Sequence, residues 1–170
     1  MIVLGIDPGY AIVGWGVIEY NGNAYRPLAF GSITTEAHTD FNLRLELIYN
    51  DMITILKKYK PDALSVEKLF FTTNVTTAIL VAQARGVILL AAQQCGVKVY
   101  EYTPLQVKVA VTGYGKAKKP QVMEMTRRLL HLKEVPNPDD TADALAIAIT
   151  HTHACGTKLR RDLLSGGVKL

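Results

Sequence analysis

A chain of 170 residues, 49% of them hydrophobic, is long enough for one domain with a substantial core and too apolar for an intrinsically disordered segment. Its net charge of +4 leans toward a polyanionic partner. The opening Met-Ile-Val-Leu-Gly-Ile-Asp has no basic lead and meets an acid at once, which argues against a secretory signal, and no apolar run reads as long enough to span a bilayer.

The elements are predicted in chain order. Residues 2–7, Ile-Val-Leu-Gly-Ile-Asp, form a short apolar run stopped by Pro8-Gly9 and read as a buried strand. Residues 12–20 read as a second strand, closed by the hairpin signal Asn21-Gly22. Residues 24–35 read as a third, broken near Pro27. Thr39 or Asp40 can cap the helix that follows, whose core face is marked at helical spacing by Phe41, Leu45, Ile48, Met52, Ile55, Leu56 and Tyr59. Lys57, Lys58 and Lys60 suit its C-terminal dipole and Pro61 ends it. Residues 62–67, Asp-Ala-Leu-Ser-Val-Glu, form a fourth strand that again ends in an acid.

Residues 75–95 form a helix that is apolar or small nearly all round, with Gly96 as its C-terminal cap. Residues 97–102 form a fifth strand, and three helices at about 104–111, 119–131 and 139–154 complete the chain. Residues 1–155 thus make one domain, and the tail 156–170 has little to bury and reads as loose. Strands 1, 4 and 5 are parallel, joined by right-handed helical crossovers, and strands 2 and 3 extend the sheet antiparallel. The fold class is α/β, a ribonuclease H-like mixed sheet of five strands in the order 3-2-1-4-5, flanked by helices.

Strands 1 and 4 are neighbours in that order, and ligands of open α/β sheets bind beyond the carboxyl ends of the strands. Asp7 and Glu67 therefore converge. Asp140 and Asp143 are three apart on the last helix and share a face. Thr141, Ala142, Ala144, Ala146 and Ala148 are small enough to let that helix lie close to the sheet. Taken singly, each acid has a plainer reading: Asp7 as a turn residue, Glu67 as a surface acid, Asp139 or Asp140 as a helix cap. Together, four mutually repelling carboxylates call for a cation. Oxygen-only ligands suit Mg²⁺ or Mn²⁺, and two such ions roughly 4 Å apart form a phosphodiester-hydrolysing device.

The order and spacing of these segments resemble the RuvC family of Holliday-junction resolvases over residues 1–154. The matching text is Gly5-Ile6-Asp7-Pro8-Gly9, Glu67 followed by Phe70, and Gln83-Ala84-Arg85-Gly86. It continues through Tyr102-Thr103-Pro104 with Val107 and Lys108 to Asp140-Thr141-Ala142-Asp143-Ala144-Leu145-Ala146. The resemblance implies a homodimeric, Mg²⁺-dependent endonuclease. Asp7, Glu67, Asp140 and Asp143 would be its catalytic and metal-binding tetrad, with two ions per subunit. It further implies paired nicks across four-way junction DNA and work alongside a branch-migration motor.

Phe70 and Phe71 follow Glu67 in a loop, where an aromatic ring can stack on unpaired bases or pack into the core. Phe70 matches the family's stacking position. Lys116, Lys118 and Lys119 lie in the Gly-flanked basic loop 113–119, suited to phosphates. Lys108 and Lys119 match basic residues on the family's active-site side. Arg85 can equally be structural. His151 and His153, two apart on a helix, point to opposite sides and read as surface or packing residues. Cys95 and Cys155, far apart, read as reduced thiols of a cytoplasmic protein.

Three other readings remain open on the residues alone. One is a related nuclease acting on RNA. Another is a nucleotide-binding fold of the actin and sugar-kinase type, which needs a second phosphate loop and a longer chain. The third is a junction-binding module that does not cut.

Overall fold

The structure, a computed structural model, describes the backbone of residues 1–69 and 75–164, with side chains described for 1–69 and 76–156. Its sheet has five strands: β1 (Ile2–Asp7), β2 (Ile12–Tyr20), β3 (Tyr25–Thr34), β4 (Ala63–Glu67) and β5 (Lys98–Tyr102). Their order is β3-β2-β1-β4-β5, with β1 antiparallel to β2 and parallel to β4, as the sequence predicts. The expected break at Pro27 is a bulge instead. Ile18 pairs with Pro27 and Val17 with Ala29, so Leu28 is the extra residue and β3 continues on both sides.

The period of two along each strand divides the core into two layers. Leu4 and Ile6 of β1, Val13 and Val17 of β2, and Leu64 and Val66 of β4 point to one face. There they meet α1 (Phe41–Tyr59) through Ile48, Met52 and Leu56, and α2 (Val75–Gln94) through Ala84, Ile88, Ala91 and Ala92. Asp40 caps α1, its Oδ1 accepting from the Asn42 and Leu43 amides at 2.9 and 3.3 Å. Lys60, at φ 45°, closes it. Gly96, at φ 68°, takes the left-handed turn after α2.

The segment Thr76–Gln94 is long and apolar enough, by length and composition, to cross a membrane, with a mean hydropathy of 1.4. This corrects the expectation that no such run exists: Gln83 and Arg85 interrupt the pattern to the eye without lowering the average enough. Within the fold, Ala84, Ile88, Ala91 and Ala92 are buried against the sheet and α1, the behaviour of a core helix. Among the described residues nothing covers its opposite face. Ile79, Gln83, Gly86 and Leu90 are exposed, and a Cβ added at Gly86 would meet nothing within 4 Å. Arg85 forms an ion pair with Glu101 on β5.

On the other face of the sheet lie α3 (Pro104–Thr112), α4 (Lys119–Leu129) and α5 (Asp139–Leu164). The backbone of α5 continues ten residues past the predicted end, so the segment expected to be a loose tail from Gly156 is helical as far as Leu164. Glycine makes the seam between α5 and the sheet. A Cβ on Gly5 would sit 2.0 Å from the Ala144 carbonyl oxygen, and one on Gly14 would sit 2.0 Å from that of Asp140. The strand glycines and the helix alanines are two halves of one close approach.

Candidate active site

Strand parity places the first two acids. Asp7 shares a face with Val3 and Gly5, and Glu67 with Ala63 and Ser65, the face that α5 covers. Ile6 pairs with Val66 across β1 and β4, so the residues that follow, Asp7 and Glu67, leave the sheet side by side. The glycine seam presses the first turns of α5 onto the same place and brings Asp140 and Asp143 to them.

The electrostatics report the crowding. Asp7 is pushed up to about 8 by burial first, then by the charges of Asp143, Glu67 and Asp140. Glu67 and Asp143 are also raised, burial leading in both, and Lys119 opposes the shift in each. Lys119 is the cation at the cluster. Its Nζ lies 2.5 Å from Asp139 Oδ2 and 2.8 Å from Asp143 Oδ2. Burial pulls its pKa down, but the bonds to the two carboxylates prevail and raise it.

Lys108, Lys119, Glu67 and Asp143 line one cleft of about 270 Å³, walled by Val107 and Ile147. The four predicted acids, Lys108 and Lys119 are therefore brought together. Lys116 and Lys118 are exposed on the loop before α4. Phe70 and Phe71 lie outside the described residues.

A hard divalent cation fits this donor set in chemistry: partly buried carboxylate oxygens, with the proton affinity of Asp7, Glu67 and Asp143 raised by burial first and by neighbouring negative charge second. The set is open. Among the described residues no three His, Cys, Asp or Glu side chains are gathered closely enough to hold one ion. Asp139, which sequence reasoning takes as a cap, does accept from the backbone at the start of α5, and it is also the exposed half of the Lys119 clasp. The signal was present, because Asp139 and Asp143 are spaced i, i+4 and share a face. His151 is buried, sharing a 2.7 Å hydrogen bond with Tyr102 Oη, whereas His153 is exposed, so neither joins the site.

Comparison with known proteins gives the lineage. The profile of the family described as crossover junction endodeoxyribonuclease RuvC matches residues 3–151. The chain belongs to this family. A Brevibacillus brevis protein of that name is 63% identical over 151 residues, spanning 89% of this chain and 91% of its own. A Clostridioides difficile protein of the same name is 54% identical over 169 residues, covering 99% of each chain. The structure of T. thermophilus RuvC in complex with a Holliday junction substrate superposes with a TM-score of 0.89 at 39% identity, over 93% of this chain and 96% of that one. The protein is thus a nuclease of the Holliday-junction-resolving family on a ribonuclease H-like fold.

Proposed function

We propose that the protein resolves four-way DNA junctions by paired, symmetric nicks, with Asp7, Glu67, Asp140 and Asp143 holding two Mg²⁺ ions per subunit, and that Mn²⁺ can substitute. The observation that carries the site assignment is the position of Asp7. It lies at a strand end beside three further carboxylates, and burial, together with their charges, raises its pKa to about 8. A protein keeps such a cluster only where a cation repays it.

Bound divalent ions would supply Lewis acidity and activate water for attack on a phosphodiester. The chain's own residues do the rest. The glycine seam fixes the two α5 acids against the two strand acids. Lys108 lines the cleft beside Glu67, placed to meet a phosphate entering it, and Lys119 faces the acids from the same wall. The exposed Lys116 and Lys118 extend positive charge away from the cleft along the path of a DNA strand. Phe70 and Phe71, by their place in the sequence after Glu67, would stack on bases at the junction centre. With Cys95 and Cys155 as free thiols, the protein would work in the cytoplasm, beside a branch-migration motor.

The test is a synthetic four-way junction incubated with Mg²⁺ or with EDTA. Asp7→Asn, Glu67→Gln, Asp140→Asn and Asp143→Asn should each abolish cutting while junction binding survives. Near wild-type cutting by any one of them removes that residue from the set. Binding without Mg²⁺-dependent nicking by the wild type would favour a junction-binding module.

A further inference from the structure

Lys119 has two carboxylate partners, and they are not equivalent. Asp139 and Asp143 lie one turn apart on the same face of α5, and the Lys119 ammonium sits between them. Asp143 has a side chain only 28% exposed, whereas that of Asp139 is 54% exposed. Asp139 therefore carries its charge in water at little cost, and Lys119 holds its pKa down further. Asp143 is the costlier anion and the one that faces Glu67 and Asp7.

A divalent ion ligated by Asp143 repels an ammonium bonded to the same carboxylate. With Asp143 as sole partner, Lys119 would either compete with the ion or leave the cleft. With Asp139 beside it, the ammonium has a second carboxylate within hydrogen-bond reach already. We propose that Asp139 is a positioning residue that takes Lys119 over from Asp143, freeing Asp143 for a divalent cation while keeping the ammonium at the rim of the cleft. This rests on the reading that Asp143 and its three companions hold metal.

A purely local role for Asp139 makes different predictions. An acid in the first turn of a helix stabilises it through the helix dipole. It would also attract any nearby cation whether or not Lys119 were present. A double-mutant cycle separates these roles. Mn²⁺ binding is measured by titration calorimetry on the full chain for wild type, Asp139→Asn, Lys119→Met and the pair. Asp139→Asn should weaken Mn²⁺ binding about three- to fivefold, the size expected of one partly exposed ion pair. In the Lys119→Met background the same change should have little effect, and Asp139→Glu should restore wild-type binding. Single-turnover cleavage by Asp139→Asn should be slow at limiting Mg²⁺ and recover at saturating Mg²⁺.

Equal weakening in both backgrounds, or wild-type affinity in Asp139→Asn, overturns the proposal. Asp139→Ser retains capping ability without the charge and takes the same test if Asp139→Asn fails to fold. Unchanged Mn²⁺ binding in Asp7→Asn and Asp140→Asn overturns the metal assignment itself, and the proposal with it. The Asp139 cycle alone overturns only the proposal.

Discussion

Asp7 concentrates the electrostatic cost of the site, and the sign of that cost can be checked. Its folded pKa is about 8 against an ordinary 3.8, through burial and then its three acidic neighbours. A carboxyl raised on folding favours the folded state while protonated. That contribution is fully present below the unfolded pKa and is lost as pH climbs through the folded one. Glu67 and Asp143 shift in the same direction. In chelator, the melting temperature of the wild type relative to Asp7→Asn should therefore fall as pH rises from about 4 to about 8, the reverse of the usual carboxylate trend. Saturating Mg²⁺ at pH 8 should recover it. Calorimetric scans of both proteins across that range check this, and a constant difference would mean that Asp7 is not held among repelling charges.

The seam between α5 and the sheet decides whether the four acids meet. Gly14 has the Asp140 carbonyl oxygen where its Cβ would be, so Gly14→Ala should lift the helix at the residue that carries an acid. We expect a loss of about 1–3 kcal/mol, typical of overpacking, with cleavage reduced further than stability alone explains. Gly16→Ala meets the Leu145 side chain rather than backbone, and should be milder because a side chain can rotate away. Urea unfolding and single-turnover cleavage on both variants test the ranking.

Half of this seam was legible beforehand, in the small residues of the last helix. The other half was not, because Gly5, Gly14 and Gly16 read simply as weak points in strands until the helix is laid across them. The strand order and the acids at two strand ends were legible because alternation and chain order constrain them tightly. The Lys119 clasp was not, since Asp139 and Lys119 meet only through the packing of α4 against α5. The length of α5 escaped for another reason: the tail from Gly156 has little to bury and reads as loose, while the helix continues through it.

At the scale of the molecule, we propose two copies about a twofold axis, because one proposed active site per chain must make two like cuts in the proposed substrate. The exposed face of α2 is where we place the contact. Ile79 and Leu90 are 50% and 51% exposed there, spaced at helical intervals with Gln83 and Gly86. Ile88, at the middle of the same helix, is fully buried in the core, so a charge there should unfold the chain rather than separate subunits. Leu90→Glu should yield a folded monomer with intact circular dichroism and little paired nicking. Sedimentation equilibrium of that variant beside the wild type decides it, and an unchanged dimer would move the interface elsewhere.

Gly86 gives this contact an unusual signature. Among the described residues of one subunit nothing approaches within 4 Å of a Cβ added there, and a glycine inside a helix costs about 1 kcal/mol relative to alanine. Gly86→Ala should therefore stiffen the helix of a dilute, dissociated chain. At the proposed close crossing of two copies the added methyl would have no room, and association would suffer. The sign of one substitution thus depends on how much protein is in the tube, because dimerisation contributes to apparent stability only above its dissociation constant. Thermal melts of Gly86→Ala should lie above wild type at low concentration and below it at high concentration, crossing near the point where subunits pair.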